Sequence, residues 1–457
     1  MTDTVYDMVI LGAGSGGYAA ALRGAQLGLR VALIEADKIG GTCLHRGCVP
    51  TKAILHSAET AEAVREAAAV GVRAAYQGLD MPAVQRYKNG VISRMYKGLQ
   101  GLVASRGIEV VGGWGRLVAR DTVEVSGRRY RGRNIVLATG SLSKTMGQEI
   151  SGPVMTSDQA LELDRVPASA VVLGGGVIGV ELASAWASMG SQVTIIEALP
   201  HLVPNEDEAI SKQLERAFRK RRIAFRTSTM FESVERTAAG VTVRTADGRT
   251  HDAEVLLIAV GRGPATANLG YEEVGVAMDR GFVLTDDYGR TNVEGVWAVG
   301  DIVPGVQLAH RGFAQGITVA EKIAGLDPRP VDDALVPKVT FCEPEIASVG
   351  LSEARAAELH GAENVTTSEF NVAGNAKSQI LGTQGFVKLV SLKDGPIVGF
   401  HAIGARMGEQ VGEGQLIVNW EADADDVAAL VHAHPTQNET LGEAAMALAG
   451  KPLHNHG

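Results

Sequence analysis

The sequence predicts an α/β protein: two α/β units of the same layout, followed by a C-terminal domain of mixed α+β character. Three observations predict it. A strand, a glycine-rich turn and a helix follow one another twice, beginning near Tyr6 and near Ala170. Glycine makes up 56 of 457 residues, well above the usual ~7%. Proline stays at 15, so the glycines serve local backbone geometry rather than a low-complexity linker. The length, at about 150 residues per domain, suggests roughly three domains.

Composition narrows the class. Apolar residues at 45% and charged residues at 21% exclude a disordered or fibrous chain. A net charge of −9 argues against non-specific binding to nucleic acid or an anionic membrane. Three cysteines are too few for a secreted disulfide framework. Met1–Asp7 has no Lys or Arg, unlike the positive start of a signal peptide. Val171–Met189 is apolar apart from Glu181, but its four glycines fit a strand followed by a helix better than a membrane span. The basic run Arg216, Arg219, Lys220, Arg221 and Arg222 reads as the solvated end of a crossover helix. A soluble cytoplasmic protein with no nucleic-acid or membrane partner is expected.

The first unit runs from the strand Tyr6–Leu11 through Gly12-Ala13-Gly14-Ser15-Gly16-Gly17 into a helix ending about Leu27, and a second strand, Arg30–Ile34, leads to Glu35. The other unit repeats it: Ala170–Leu173, then Gly174-Gly175-Gly176-Val177-Ile178-Gly179, a helix to about Met189, and Gln192–Ile196 leading to Glu197. Glycine spacing alone is weak evidence. With strand before, helix after and an acid closing the second strand, it is a Rossmann-like dinucleotide fingerprint. Gly12 and Gly174 permit the tight turn, Gly14 and Gly176 let the backbone approach a pyrophosphate, and Gly17 and Gly179 let helix and strand pack closely. The helix N-terminus then faces the phosphates, and the acid accepts from ribose hydroxyls. Two such units imply two dinucleotides. After Glu197 no Arg or Lys occurs until Lys212, which favours NAD over NADP.

Helices are expected over about Ala58–Ala75 and Met81–Ser105. Arg133–Thr139 reads as a buried strand ending in Ala138-Thr139-Gly140, and Glu254–Val260, ending in Gly261-Arg262, echoes it. Thr291–Asp301 reads as a strand delivering an aspartate to a loop. From about Val336, strand-like runs (Gly385–Ser391, Pro396–Ala402) and helical stretches (Gly408–Glu421, Ala424–Val431) indicate the third domain.

Two of the three cysteines, Cys43 and Cys48, stand five apart in Gly40-Gly41-Thr42-Cys43-Leu44-His45-Arg46-Gly47-Cys48-Val49-Pro50-Thr51-Lys52, a segment expected to start a helix. Such a pair can form a disulfide, and outside secreted proteins a disulfide is usually catalytic or redox-sensing. Zinc is a poor rival, because no second ligand pair lies nearby.

These residues, with Thr291–Asp301 and His432-Ala433-His434-Pro435-Thr436-Gln437-Asn438-Glu439, make the chain resemble the flavoprotein disulfide reductases, the class I pyridine nucleotide–disulfide oxidoreductases. The resemblance spans essentially the whole chain and is strongest to members that oxidise protein-bound dihydrolipoyl groups with NAD. It implies an FAD-binding domain from 1–149 and 277–338, an NAD-binding domain at 150–276 and a dimerisation domain at 339–457. FAD would be held by Gly12, Gly14, Gly17, Glu35, Lys52, Gly115, Ala138, Thr139, Gly140, Asp301 and Ala309. NAD would be held by Gly174, Gly176, Val177, Ile178, Gly179, Glu197 and Gly261. Cys43 would be the interchange sulfur and Cys48 the sulfur nearer the flavin. His434 would be the base, oriented by Glu439 and supplied across the interface of a homodimer. Lys52 and Glu181 would pair beside the flavin. The implied partners are lipoyl-bearing subunits of 2-oxo acid dehydrogenase complexes or of the glycine cleavage system; no metal is implied.

Some positions depart from the pattern. Gln437 and Asn438 lie inside the base-bearing loop, and Gln315 stands where an acid is usual. Cys342 reads as a small packed residue, and the tail His454-Asn455-His456 as disordered. Among the alternatives, an NAD(P)H-dependent reductase of another low-molecular-weight disulfide stays closest.

Overall fold

The computed structural model describes residues 5–454. Its first sheet is laid down by Val5–Leu11, whose inward residues Met8, Val9 and Ile10 are fully buried. Val31–Glu35 and Arg128–Leu137 flank it in parallel, Glu109–Gly112 continues the sheet on one side and Val296–Ala298 pairs in parallel with the end of Arg128–Leu137. Runs apolar on both faces suit such a covered parallel sheet. Helix Ser15–Gln26 packs against helix Ala309–Ile323, and Gly16, Gly312 and Gly316 at their contact let the two backbones approach.

The second parallel sheet has the order Ala224–Arg226, Gln192–Ile196, Ser169–Leu173, Val255–Ile258, Val154–Met155. Helix Val177–Met189 lies against it, with ten of its residues buried, Glu181 among them. An antiparallel ribbon, Phe231–Thr237, Gly240–Thr245 and Thr250–Ala253, sits beside this sheet. The C-terminal sheet is antiparallel throughout, built from Lys338–Thr340, Glu345–Gly350, Ile397–Gly404, Phe386–Leu392 and Val365–Asn371. Helices Met407–Asn419 and Glu439–Leu448 cover it through Met407, Val418, Leu441 and Ala444.

Several boundaries differ from expectation. The cysteine segment is two helices, Gly41–Arg46 and Cys48–Glu66, because Gly47 at φ −139°, ψ −111° breaks the helical path between them. The helix expected from Ala58 therefore starts ten residues earlier, at Cys48, and ends at Glu66. Ala424–Ala428 is shorter than expected. Arg221 is no solvated helix end: its guanidinium donates to Ser184 Oγ (2.7 Å), Ser188 Oγ (2.6 Å), Glu343 O (2.8 Å) and Glu62 (3.1 Å). Cys342 is buried, as read. His454 is held by Glu443 at 2.7 Å, contrary to the disorder expected there; Asn455 and His456 lie outside the described residues. No helix among the described residues is long and apolar enough to cross a membrane.

Candidate active site and dinucleotide cradles

The two glycine turns are built alike. Gly12 and Gly174 both sit at φ +100°, the left-handed region, where a Cβ would run into the carbonyl of Ala138 or of Ala259. Gly14 and Gly176 cap the following helices in extended conformation with no side-chain cap, and a Cβ on either would point into open space. The first-turn N–H groups of both helices therefore face an open cradle, which suits the pyrophosphate of a dinucleotide. Glu35 accepts from the N–H of Ala13 (2.7 Å) and of Asp37 (2.9 Å). Glu197 accepts from Gly175 (2.5 Å) and Leu199 (2.7 Å) in the same way. Each carboxylate keeps lone pairs for ribose hydroxyls. His201, the ring closest in sequence after Glu197, is engaged by Glu215 at 3.2 Å.

Around the first cradle, Ala138 is buried, Thr139 Oγ1 meets the Tyr271 hydroxyl at 3.1 Å and Gly140 turns at φ +75°. Asp301 accepts from Ser141 Oγ at 2.5 Å. Ala309 opens its helix behind Leu308, again with no side-chain cap. Gly115 has a packing reason, since a Cβ there would press on Ile34 and Leu11. Around the second cradle, Val177 and Ile178 begin the helix, Val177 is exposed, and Gly261 turns at φ +105° with open space beside it. Gln315 supplies a neutral acceptor: its Oε1 takes the N–H of Gly300, next to Asp301, at 2.9 Å.

The side chains of Cys43 and Cys48 are brought together, so that when both are reduced the Cys43 S–H donates to Cys48. Cys48 is the first residue of its helix, and Lys52 stands one turn further on the same face. The hydrogen bond from Cys43 lowers the Cys48 thiol to about 7, with help from Lys52 and against the opposing effect of burial. The same bond, with burial, pushes Cys43 well up. Lys52 Nζ meets both Glu181 oxygens at 2.9 Å, and the Glu181 side chain is 3% exposed.

His434 Nδ1 lies 2.7 Å from Glu439 Oε1, while Glu439 Oε2 takes the N–H of Thr436. The ring is 72% exposed, and among the described residues no hydrogen bond or ion pair joins it to either cysteine of its own chain. Beside it His432 pairs with Glu413 at 2.7 Å, and that hydrogen bond raises the His432 pKa. Asn438 donates to the same Glu413, and Gln437 is buried between Ser378 and the Ala405 carbonyl. No group of His, Cys, Asp and Glu among the described residues could hold a metal ion.

Two features escape sequence reasoning. Ser141 ties Asp301 to Arg262, which donates to Ser141 Oγ (2.8 Å) and Ser141 O (2.7 Å) from 121 residues away. Phe341 sits against the Lys52–Glu181 pair. Neither carries a local motif.

Comparisons with known proteins match this geometry. The family described as pyridine nucleotide-disulphide oxidoreductase matches residues 6–316, and its dimerisation domain matches residues 336–445. The dihydrolipoyl dehydrogenase of Bacillus subtilis is 37% identical over 473 aligned residues, covering 99% of each chain. That of Geobacillus stearothermophilus is 36% identical over 98% of this chain and 97% of its own. The mitochondrial dihydrolipoyl dehydrogenase 1 of Arabidopsis thaliana is 36% identical over 98% of this chain and 91% of its own. Among solved structures, LpdA of Mycobacterium tuberculosis superposes with a TM-score of 0.90 at 26% identity, covering 96% of this chain and 99% of its own. The HOCl-induced flavoprotein disulfide reductase RclA of Escherichia coli does so with a TM-score of 0.86 at 27% identity, covering 96% and 99%.

Proposed function

Because the chain belongs to the pyridine nucleotide-disulphide oxidoreductases, FAD- and NAD-dependent enzymes with a dimerisation domain, we propose that it oxidises protein-bound dihydrolipoyl groups with NAD through a Cys43–Cys48 disulfide. The observation that carries this reading is the hydrogen-bonded thiol pair at a helix start beside the Lys52–Glu181 ion pair. Near-full-length similarity to dihydrolipoyl dehydrogenases supports the substrate class.

In the oxidised protein a dihydrolipoyl thiolate attacks Cys43 Sγ. The Cys43–Cys48 bond breaks, a mixed disulfide forms at Cys43, and Cys48 leaves as thiolate. Lys52, whose charge favours the thiolate, makes Cys48 a good leaving group near neutral pH. The second dihydrolipoyl thiol then attacks the substrate sulfur of the mixed disulfide, releasing the lipoyl disulfide and leaving two electrons in the dithiol. Both substrate thiols must lose protons, and thiols ionise near ~8.5, so a base is required. His434 of the partner subunit, held in one orientation by Glu439, fills that role. Its exposure and its lack of contact with the cysteines of its own chain fit delivery across a dimer interface. Bound FAD supplies the two-electron link between the dithiol and the nicotinamide of NAD.

We assign 1–149 with 277–338 to FAD, 150–276 to NAD and 339–457 to the interface. The implied partners are the lipoyl-bearing subunits of a 2-oxo acid dehydrogenase complex or of the glycine cleavage system.

The test is anaerobic turnover of the flavin-loaded protein with dihydrolipoamide and NAD, repeated with NADPH and a panel of low-molecular-weight disulfides. NADH formation from dihydrolipoamide supports the reading. Absence of that turnover, with NADPH-driven reduction of another disulfide, replaces it by the reductase alternative.

A further inference from the structure

The C-terminal sheet reaches the cysteine site through one hairpin, Lys338–Thr340 and Glu345–Gly350, whose connection is Phe341-Cys342-Glu343-Pro344. Its alternate N–H groups dock on successive turns of helix Val177–Met189: Phe341 N–H donates to Glu181 Oε1 at 2.8 Å and Glu343 N–H to Ser184 Oγ at 3.0 Å. A step of two residues in the connection thus matches a step of three residues in the helix. Arg221 closes the seat on the Glu343 carbonyl, and Cys342 is buried beneath it. The seat places the Phe341 ring with its centroid 4.6 Å from Lys52 Nζ. Lys52 therefore has two partners on different domains, the Glu181 carboxylate and an aromatic face.

We propose that Phe341 is a positioning residue: its ring holds the Lys52 ammonium in place, and through Lys52 it favours the thiolate of Cys48. The inference rests on the reading that Cys48 acts as the thiolate leaving group. A lysine side chain is otherwise flexible, and the Phe341 face limits the positions it can take against Glu181. The groups facing Cys48 are Cys43 from the preceding helix, Lys52 from its own helix, Glu181 from the helix opposite and Tyr18 from the first glycine-turn helix. Lys52 is the cation among them. The contact also ties the seating of the C-terminal domain to the reactivity of a sulfur in another domain.

The experiment titrates the ultraviolet thiolate absorbance of Cys48 in the flavin-loaded Cys43→Ser protein, where serine keeps a donor to Cys48 and burial keeps the Cys342 thiol silent. Phe341→Leu and Phe341→Met, which keep the backbone N–H and the bulk, are expected to raise the midpoint by roughly half a pH unit. Phe341→Tyr is expected to leave it in place, and Lys52→Met to raise it at least as far. The thermal midpoint of each variant identifies those that fold. Midpoints in both Phe341→Leu and Phe341→Met that equal the parent's overturn the proposal, as does an unmoved midpoint in Lys52→Met or an equal rise in Phe341→Tyr. No substrate enters the titration, so failure of dihydrolipoamide turnover and failure of this inference read out separately.

Discussion

Glu35 and Glu197 occupy the same place in two units that are far apart in the chain. Each closes a second strand and binds, through one oxygen, the N–H of the second residue of its glycine turn: Ala13 at 2.7 Å and Gly175 at 2.5 Å. The acid and the glycines are one device, because the carboxylate that meets the ribose also sets the turn that meets the phosphates. Glu197→Ala removes two acceptors from backbone groups, an effect of ~1–3 kcal/mol. The KM for NAD is therefore expected to rise about 5- to 150-fold, while kcat and the flavin content stay near those of the parent. Steady-state kinetics with a visible spectrum of each preparation checks this.

The Cys48 thiol, at about 7, gives a second expectation. Its pKa is lowered, so the thiolate is present above neutrality and is lost as pH falls through about 7. The long-wavelength absorbance that a thiolate lends to a neighbouring flavin in the two-electron-reduced protein should fade over that interval. Cys48→Ser should lack the band at every pH while retaining flavin, and an anaerobic spectral titration measures both.

His434→Gln is expected to keep flavin and fold but to lose dithiol turnover by about 10²–10⁴-fold. Glu439→Gln should cost less, because the amide still accepts through one oxygen and the ring is oriented rather than replaced. Its kcat should fall more than its affinity for dihydrolipoamide. Parallel kinetics on the two variants with the same substrate checks the order.

Lys388 joins the C-terminal sheet to the second nucleotide unit through Asp207 (2.9 Å), and Glu353 of its own domain also holds it (2.6 Å). Burial raises the Asp207 carboxyl, but the hydrogen bond from Lys388 and its neighbours outweigh it, so the net shift is downward. The stabilisation is thus present above the ordinary carboxylate range and disappears as pH falls through the lowered value. Lys388→Met leaves a buried carboxylate without its cation, a loss of about 3–5 kcal/mol. Urea unfolding at neutral pH should show that loss, and the gap between variant and parent should narrow in strong acid.

The parts legible in the sequence are those that local geometry forces. The turns at Gly12 and Gly174 tolerate no side chain, so they leave a spacing that can be read directly. The cysteine pair and His434 with Glu439 are close in sequence, and the structure joins each through a hydrogen bond. The break at Gly47 is not legible, because no local pattern marks which glycine of the segment takes up a φ, ψ that residues with a side chain rarely adopt. Arg221 looks solvated in the sequence because its partners Glu62, Ser184, Ser188 and Glu343 come from three other segments. Phe341 and Ser141 act through partners more than a hundred residues away, and no periodicity records such contacts.

The measurement that bears most directly on the central claim is non-reducing peptide mapping by mass spectrometry of the oxidised, flavin-loaded protein, alkylated before and after one equivalent of dihydrolipoamide and again after NAD. A Cys43–Cys48 cross-link is predicted at the start, two alkylated cysteines with release of lipoamide after the dithiol, and the cross-link restored with NADH by NAD. Active protein whose Cys43 and Cys48 stay unlinked through all three steps would contradict the account.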